Sequence, residues 1–172
     1  MAFVDVVVMA AGKGTRMKSS MPKVLHRLGG RALLQHVMDT ASQLQARKVV
    51  VITGHGAEQV EATLVHKDHV QCVRQIPQLG TGHAMQQAVP VLADDGVTLV
   101  LSGDVPLIQA DTLSALLAMC DAQHLALLTL QTPTPTGYGR LVRNPQGQVQ
   151  AIVEEKDATP EQRLIQEIYS GI

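Results

Sequence analysis

Short apolar runs alternate with amphipathic segments along the first two thirds of the chain. The runs are rich in β-branched residues, which predicts buried strands, and the segments between them carry apolar residues at helical spacing. The predicted strands span residues 3–8, 48–53, 70–74, 97–101 and 125–130. The predicted helices span residues 31–45, 57–65, 81–88 and 110–122.

This regular alternation of strand and helix predicts an α/β fold. We expect a Rossmann-like, mainly parallel sheet with helices on both faces. The pattern then changes, and residues 140–143 and 148–154 predict a β-hairpin with a four-residue loop between them. Because no repeat or low-complexity linker divides the 172 residues, we expect a single domain over residues 1–172.

Polar and glycine-rich segments directly follow several of the predicted strands. Residues 9–17 follow the first strand, residues 75–82 follow the third, and Asp104 follows the fourth. Ligands of parallel α/β sheets bind at the carboxyl ends of the strands. The sequence therefore predicts that these segments meet at one edge of the sheet.

The first of these segments is Met9-Ala10-Ala11-Gly12-Lys13-Gly14-Thr15-Arg16-Met17, and Pro22-Lys23 follows shortly after it. Glycine and alanine allow a ligand to approach the backbone closely, and backbone N–H groups before a helix attract anions. Lysine and arginine add positive charge, so the segment is typical of a polyphosphate cradle. It matches neither a Walker A loop nor a complete Rossmann fingerprint. The Gly-x-Gly element alone also fits an ordinary glycine-rich turn, and Lys13 and Lys18 also fit solvated positions.

Composition narrows the class of protein. The formal net charge of −1 argues against nonspecific nucleic-acid binding, which needs a basic face. No apolar run approaches the length of a membrane span, and no signal peptide is visible at Met1. Cys72 and Cys120 stand apart in apolar stretches, which favours small core residues and a reducing cytoplasm over a disulfide or metal site.

Asp104 and Gln75 are the clearest candidates for specific chemistry. A carboxylate just past a buried strand is a common Mg²⁺ ligand at nucleotide sites, although a turn aspartate that bonds its own backbone is the alternative. The amide of Gln75 offers a donor and an acceptor, which suits a ligand with a mixed hydrogen-bonding edge, although the residue also fits a solvated loop amide. The seven histidines show no zinc-ligand spacing, and His83 is interpreted as structural.

Further motifs follow in order along the chain. They are Gly54-His55-Gly56, Gln78-Leu79-Gly80-Thr81-Gly82-His83-Ala84-Met85-Gln86-Gln87-Ala88, Gly103-Asp104-Val105-Pro106-Leu107, Thr136-Gly137-Tyr138-Gly139-Arg140 and Ile152-Val153-Glu154-Glu155-Lys156-Asp157-Ala158-Thr159. With the glycine-rich segment, they resemble the sugar-phosphate nucleotidyltransferases. Within that family they are most similar to the uridyltransferase domain of the bacterial bifunctional N-acetylglucosamine-1-phosphate uridyltransferases/glucosamine-1-phosphate acetyltransferases, over essentially the whole chain.

The resemblance implies transfer of UMP from UTP to N-acetylglucosamine 1-phosphate, which gives UDP-N-acetylglucosamine for peptidoglycan and lipopolysaccharide synthesis. It implies in-line attack on the α-phosphorus, with Mg²⁺ on Asp104 and with Arg16 and Lys23 as the catalytic cations at the triphosphate and departing pyrophosphate. Residues implied to contact the nucleotide are Met9, Ala10, Ala11, Gly12, Lys23, Gln75, Gly80, Thr81, Ser102, Gly103 and Asp104.

On the sugar side, the resemblance assigns Gly139 and Glu154 to the N-acetylglucosamine group. The family pattern Glu-Ile-Asn-Thr-Gly-Ile is replaced here by Glu167-Ile168-Tyr169-Ser170-Gly171-Ile172. Tyr169 offers a hydroxyl where the family has an amide, so it is the candidate for sugar contact at this position.

The relatives extend further than the part matched by this chain. That extension supplies an asparagine as a second Mg²⁺ ligand and a β-helix acetyltransferase domain through which the relatives form homotrimers. We therefore expect residues 1–172 to be an incomplete nucleotidyltransferase domain without the acetyltransferase domain. Two alternatives are a catalytically incompetent nucleotide-binding fragment and a nucleotidyltransferase for another pair of nucleotide and sugar phosphate.

Overall fold

A computed structural model describes residues 3–14, 17–65 and 69–172 of the chain, which divides into the compact units Met1–His124 and Leu125–Ile172. The strands are β1 (Val4–Ala10), β2 (Arg27–Leu28), β3 (Arg31–Ala32), β4 (Lys48–Thr53), β5 (Val70–Arg74), β6 (Val97–Ser102), β7 (Thr129–Gln131), β8 (Arg140–Arg143), β9 (Val149–Val153) and β10 (Glu167–Tyr169). The helices are α1 (Leu33–Ser42), α2 (Ala57–Ala62), α3 (Thr81–Ala88), α4 (Ala110–Ala118) and α5 (Pro160–Arg163), with 3-10 turns at Lys23–Leu25 and Val89–Val91.

The first unit is built on a four-stranded parallel sheet in the order β5-β4-β1-β6. Strand β1 lies inside the sheet, where Val7 is in register with Val50 of β4 and with Val100 of β6. The chain adds β4 and β5 on one side of β1 and then returns to add β6 on the other. This reversal of strand order lies between β1 and β6, and such points form ligand-binding crevices in open α/β sheets.

Strand β1 is buried on both faces, as its unbroken valine run predicts. Val7 packs in a cluster with Ala84 and Ala88 of α3, while Val6 and Val8, whose side chains point to the opposite face, are also fully buried. Full burial of each valine contributes about 1.5–3 kcal/mol relative to exposure. The predicted α/β fold with a mainly parallel, covered sheet is confirmed.

The first predicted helix begins later than its apolar spacing suggests. Arg31 and Ala32 form a short strand that pairs with β2, and α1 then runs only from Leu33 to Ser42. Gly29 and Gly30 make the turn between the two strands with φ of +58° and +82°. Two glycines with positive φ are typical of a tight hairpin, and this signal was available in the sequence.

The amino end of the parallel sheet is closed by an ion-pair cluster. Arg47 donates from Nε and Nη2 to the two carboxylate oxygens of Asp5, at 3.0 and 2.8 Å, and from Nη1 to Asp95 at 2.7 Å. Its guanidinium also lies 4.9 Å from the centroid of the Phe3 ring. The Asp5 side chain is only 3% exposed, and the hydrogen bonds from Arg47 hold the pKa of that carboxyl below its usual value.

The second unit contains an antiparallel sheet in the order β7-β10-β8-β9. Strands β8 and β9 form the predicted hairpin, with a register shift between Val142 and Arg143. The strand predicted over residues 125–130 is largely wrong, because only Thr129–Gln131 is a strand and its partner β10 is equally short. In the first unit, α4 likewise ends at Ala118 instead of residue 122.

Candidate active site

The loops after β1 and β6 are joined at the carboxyl edge of the sheet. The Gly103 N–H donates to the Met9 carbonyl at 3.0 Å, and a Cβ on Gly103 would lie 2.9 Å from the same oxygen. A side chain at position 103 would therefore force the two loops apart. Glycine is required here for close backbone packing, which brings Ser102 and Asp104 next to the start of the glycine-rich loop.

The glycine-rich loop changes from buried to open as it leaves β1. Ala10 and Ala11 are buried, whereas Gly12 is exposed and a Cβ built on it meets no atom within 4 Å. The space beside Gly12 can admit a ligand close to the backbone, as expected for a cradle. Arg16, the predicted triphosphate cation, lies outside the described residues.

The Gly54-His55-Gly56 motif packs against this loop. The His55 N–H donates to the Ala11 carbonyl at 3.2 Å, and a Cβ on Gly54 would lie 2.9 Å from the Ala11 Cβ. Gly56 has a φ of +63°, and a Cβ there would collide with the ring of Pro22. This motif therefore holds the glycine-rich loop and the segment before Lys23 in place. A Cβ built on Gly54 or Gly56 would contact protein atoms, whereas one on Gly12 would point into open space.

Lys23 and Asp104 form an ion pair at the same edge. The Ser102 hydroxyl also donates to Asp104 Oδ1 at 2.9 Å. Burial disfavours the charged carboxylate, but the hydrogen bonds from Lys23 and Ser102 outweigh this effect and lower the pKa of Asp104. The Lys23 side chain is 40% exposed and that of Asp104 is 22% exposed, so both groups remain accessible to a ligand.

The arrangement around Asp104 fits Mg²⁺ better than zinc. Within residues 3–14, 17–65 and 69–172, no three His, Cys, Asp or Glu side chains are arranged to hold a metal ion. Mg²⁺ is usually held by one or two carboxylates, with water and substrate phosphates completing its shell. One accessible carboxylate beside an open glycine-rich loop matches that requirement.

Gln75 lies just after β5 and its amide is already engaged within the protein. The residue is only 3% exposed, and Nε2 donates to the Gly80 carbonyl at 2.8 Å and lies 3.2 Å from Nδ1 of His83. The expectation that this amide offers a ligand both a donor and an acceptor therefore needs correction. Its nitrogen has internal partners, and Oε1 is the group left for a ligand.

Gly80 and Thr81 form the start of α3 beside this amide. Gly80 has a φ of +97°, and a Cβ on it would meet no atom within 4 Å. Both residues are exposed, so a planar ring has room to approach the Gly80 backbone. His83, interpreted from the sequence as structural, contacts Gln75 across this turn, and no local pattern in the sequence signals that contact.

In the second unit, the three predicted sugar-site residues lie close together. The Tyr169 N–H donates to the Gly139 carbonyl at 3.0 Å, and a Cβ on Gly139 would lie 3.6 Å from Glu154 Oε1. The carboxylate of Glu154 is exposed, whereas Gly139 is buried. Partial burial raises the pKa of the Tyr169 hydroxyl, so this group stays a neutral donor and acceptor at physiological pH.

Hydrogen bonds from Arg140 and to Glu155 hold the loop before Gly139 in place. The buried Arg140 guanidinium donates to the Tyr138 carbonyl and lies 3.4 Å from Glu155 Oε2. Glu155 also accepts from the Gly137 N–H, and this hydrogen bond lowers the pKa of its carboxyl. The Thr136–Arg140 motif is thus tied to the neighbouring Glu154–Glu155 pair by charge-assisted hydrogen bonds.

The sequence also led to expectations for the two cysteines and for membrane-spanning segments. Cys72 and Cys120 are both free and half-buried, and burial raises the pKa of the Cys72 thiol. None of the helices in the described ranges has the length and apolar character needed to cross a bilayer.

Comparison with known proteins identifies the family of the chain. Residues 6–166 match the family described as MobA-like NTP transferase domain. The chain is 67% identical to the bifunctional protein GlmU of Polaromonas naphthalenivorans (strain CJ2) and 66% identical to that of Albidiferax ferrireducens, in each case over 98% of this chain and 37% of the relative. The chain thus spans little more than a third of the length of these relatives.

A solved structure gives the same fold at low sequence identity. The UDP-glucose pyrophosphorylase from Acinetobacter baumanii superimposes with a TM-score of 0.71 and 21% identity, over 98% of this chain and 73% of that structure. These matches confirm the family resemblance that the ordered motifs indicated. The chain belongs to the family of MobA-like NTP transferase domains.

Proposed function

We propose that the protein containing this chain transfers UMP from UTP to N-acetylglucosamine 1-phosphate, releasing pyrophosphate. The observation that carries the proposal is the meeting of three features at the carboxyl edge of one parallel sheet. These are the open backbone at Gly12, the Lys23–Asp104 pair and the Gln75–Gly80 turn. They supply, in that order, room for phosphates, charge for phosphoryl chemistry and hydrogen-bonding groups for a base.

The reaction needs little covalent help from the protein. An oxygen of the sugar phosphate attacks the α-phosphorus, and the bond from that phosphorus to the bridging oxygen of the leaving pyrophosphate breaks. The attacking oxygen is already anionic, so no general base is required. The chain's task is to hold both substrates in line and to stabilise negative charge on the departing group.

Asp104 is the proposed ligand of Mg²⁺, together with phosphate oxygens of the nucleotide. The bound ion would act as a Lewis acid that draws charge from the phosphoryl oxygens. Lys23 neutralises Asp104 in the structure through a half-exposed, flexible side chain. When Asp104 ligates the ion, the Lys23 ammonium can turn to the phosphate oxygens and stabilise the leaving pyrophosphate, a role proposed also for Arg16.

The nucleotide is proposed to lie along the backbone of Met9–Gly12, with its sugar and phosphates beside Ser102 and Gly103. Its base would face Gln75, Gly80 and Thr81. In the second unit, Glu154 offers an exposed carboxylate that suits sugar hydroxyls, and its neighbours Gly139 and Tyr169 support the assignment of the N-acetylglucosamine group to this cluster.

A panel of pyrophosphate-release assays on the complete gene product tests the proposal. Each of the four nucleoside triphosphates is combined with several sugar 1-phosphates, with Mg²⁺ or with a chelator. We expect release to be fastest with UTP and N-acetylglucosamine 1-phosphate, and to need the metal. Faster turnover of another pair would reassign the substrates, and nucleotide binding without any release would identify a binding protein instead of an enzyme.

A further inference from the structure

The nitrogen of the buried Gln75 amide has two polar neighbours on its own side of the turn. One is the Gly80 carbonyl at 2.8 Å, and the other is Nδ1 of His83 at 3.2 Å. A primary amide nitrogen carries two N–H groups, so it donates to both neighbours when the His83 proton is on Nε2. Rotation of the amide by 180° would place Oε1 against a carbonyl oxygen and a ring lone pair, which is unfavourable.

We propose that His83 is a positioning residue that sets the base specificity of this site. By accepting from Gln75, it keeps Oε1 as the group that faces the base, and Oε1 can only accept a hydrogen bond. The ring N3–H of uracil can donate to it, whereas the corresponding nitrogen of cytosine is a bare acceptor. This inference rests on the proposed nucleotide site and assigns the uracil preference to a residue that touches Gln75 and not the base.

The Gly80 carbonyl alone would hold the Gln75 amide in this orientation less firmly than the two partners together. It already accepts the first hydrogen bond of α3, from the Ala84 N–H at 3.1 Å, and it belongs to an exposed residue. His83 lies within α3, whose Ala84 and Ala88 are anchored in the core against β1. The imidazole is therefore the acceptor whose position is fixed by packing, and it supplies the second half of the constraint on the amide.

The proposal requires one particular tautomer of His83. A neutral imidazole has one acceptor nitrogen, and amides approach both of its nitrogens: Gln75 at Nδ1, and Gln87 at Nε2, 3.3 Å away. The Gln75 amide is buried and tied to Gly80, whereas Gln87 is half-exposed and makes only contacts of 3.2 and 3.3 Å. Gln75 therefore dictates the arrangement, with the His83 proton on Nε2, and Gln87 is left with its hydrogen bond to the His83 carbonyl at 3.2 Å.

The main test compares three variants of the complete gene product. His83→Leu removes the acceptor at similar volume, His83→Asn restores an acceptor oxygen near the Nδ1 position, and Gln86→Leu is a matched change at an exposed position of the same helix. Two quantities are measured for each variant: the ratio of kcat/KM for UTP over that for CTP, and the dissociation constant of CDP divided by that of UDP, so that a high value of either ratio means preference for uridine.

We expect His83→Leu to lower both ratios by about tenfold or more, because the amide can then turn its NH₂ group toward cytosine. His83→Asn should recover most of the discrimination, and Gln86→Leu should match the wild type. In a Gln75→Leu background, His83→Leu should have no further effect on selectivity. A His83→Leu ratio within threefold of wild type, or an equal loss in Gln86→Leu, would overturn the proposal.

A measurement on the unaltered protein covers the case in which His83→Leu does not fold. Long-range ¹H–¹⁵N spectra of the imidazoles identify which nitrogen carries the proton. The proposal requires the Nε2–H tautomer for His83, and an Nδ1–H tautomer would refute it because Nδ1 could then not accept from Gln75. The binding ratios also separate this inference from the proposed reaction, since uridine selectivity in binding can hold even if UTP is not turned over.

Discussion

The two ends of the parallel sheet each hold an aspartate paired with a cation, and the two pairs differ in construction. At the amino end, Asp5 is almost fully buried and Arg47 grips both of its oxygens. At the carboxyl end, Asp104 is partly exposed and Lys23 reaches it through a flexible, half-exposed side chain. The first pair is fixed in place, and the second can be separated.

The choice of cation explains the difference. The planar guanidinium of arginine presents a rigid fork that matches a carboxylate, whereas the lysine ammonium is a point charge on a four-carbon stem. Arg47 also pairs with Asp95, so a single guanidinium links two carboxylates at the amino end of the sheet. Lys23 and Asp104 face an open edge, where a ligand can take either partner. We interpret the first pair as structural and the second as the charged part of the active site.

Removal of the Asp104 carboxylate should have the largest effect on the reaction. We expect Asp104→Asn to lower Mg²⁺-dependent pyrophosphate release by about 10³-fold, because the proposed metal ligand is lost while the side-chain volume is kept. The matched variant at the other end, Asp5→Asn, should keep its turnover at 25 °C. Circular dichroism checks that Asp104→Asn is folded, and near-normal turnover would exclude Asp104 as the metal ligand.

Lys23→Ala should reduce turnover by about 10²–10³-fold, the range found when one preorganised group that stabilises transition-state charge is lost. Lys23→Arg keeps the charge with a different shape and should recover part of the rate. Single-turnover pyrophosphate release under saturating substrates measures both variants. A change of less than threefold in Lys23→Ala would make this lysine a surface residue and move the phosphate role elsewhere.

Arg47→Met should instead weaken the fold and spare the chemistry. Loss of the guanidinium leaves the Asp5 carboxylate buried without its partner, and we expect a loss of about 3 kcal/mol in the free energy of unfolding. Arg47 is 29% exposed, which places the effect at the low end for a broken buried pair. Urea unfolding measures it, with the exposed Arg31–Asp39 pair as control: Arg31→Met should cost at most about 1 kcal/mol.

The Asp5 pair should also contribute to the pH dependence of stability. Because the folded pKa of Asp5 lies below its ordinary value of 3.8, its contribution is complete above that value and is lost as the pH falls through the folded pKa. The difference in unfolding free energy between wild type and Asp5→Asn should therefore shrink as the pH drops below 3.8. Unfolding curves at several acid pH values measure this difference, and one that does not vary with pH would contradict the assignment.

Periodicity and motif order predicted the parallel sheet and the edge where its ligand loops meet. The valine run of β1 and the segment Lys48–Thr53 read as strands because burial on both faces demands continuous apolar sequence. The apolar pattern predicted less well those strands whose length depends on pairing with a neighbouring strand and not on burial. Residues 125–128 are apolar enough for a strand, but β10 ends at Tyr169, and Leu128 forms its backbone hydrogen bonds with Ser170 and Ile172 beyond that strand.

The details of the site depend on contacts between residues far apart in sequence. Strand order predicted that the glycine-rich segment and Asp104 share an edge, but the direct ion pair of Asp104 with Lys23 follows from side-chain reach, which spacing does not encode. The same holds for Gln75, whose amide nitrogen donates to the Gly80 carbonyl and lies 3.2 Å from Nδ1 of His83 across a turn. Residue type and position indicated the candidate groups, and only the structure shows which hydrogen bonds their atoms make within the protein.

The central position of β1 has a consequence for synthesis of the chain. This strand is made first, yet Val7 pairs with Val100 as well as with Val50, so one of its edges stays open until β6 has been translated. At about 5–20 residues per second, the valine run waits roughly 5–20 s for that partner. An apolar strand with an unpaired edge is a template for aggregation, and we expect chaperones that bind nascent chains to engage this segment before the sheet closes.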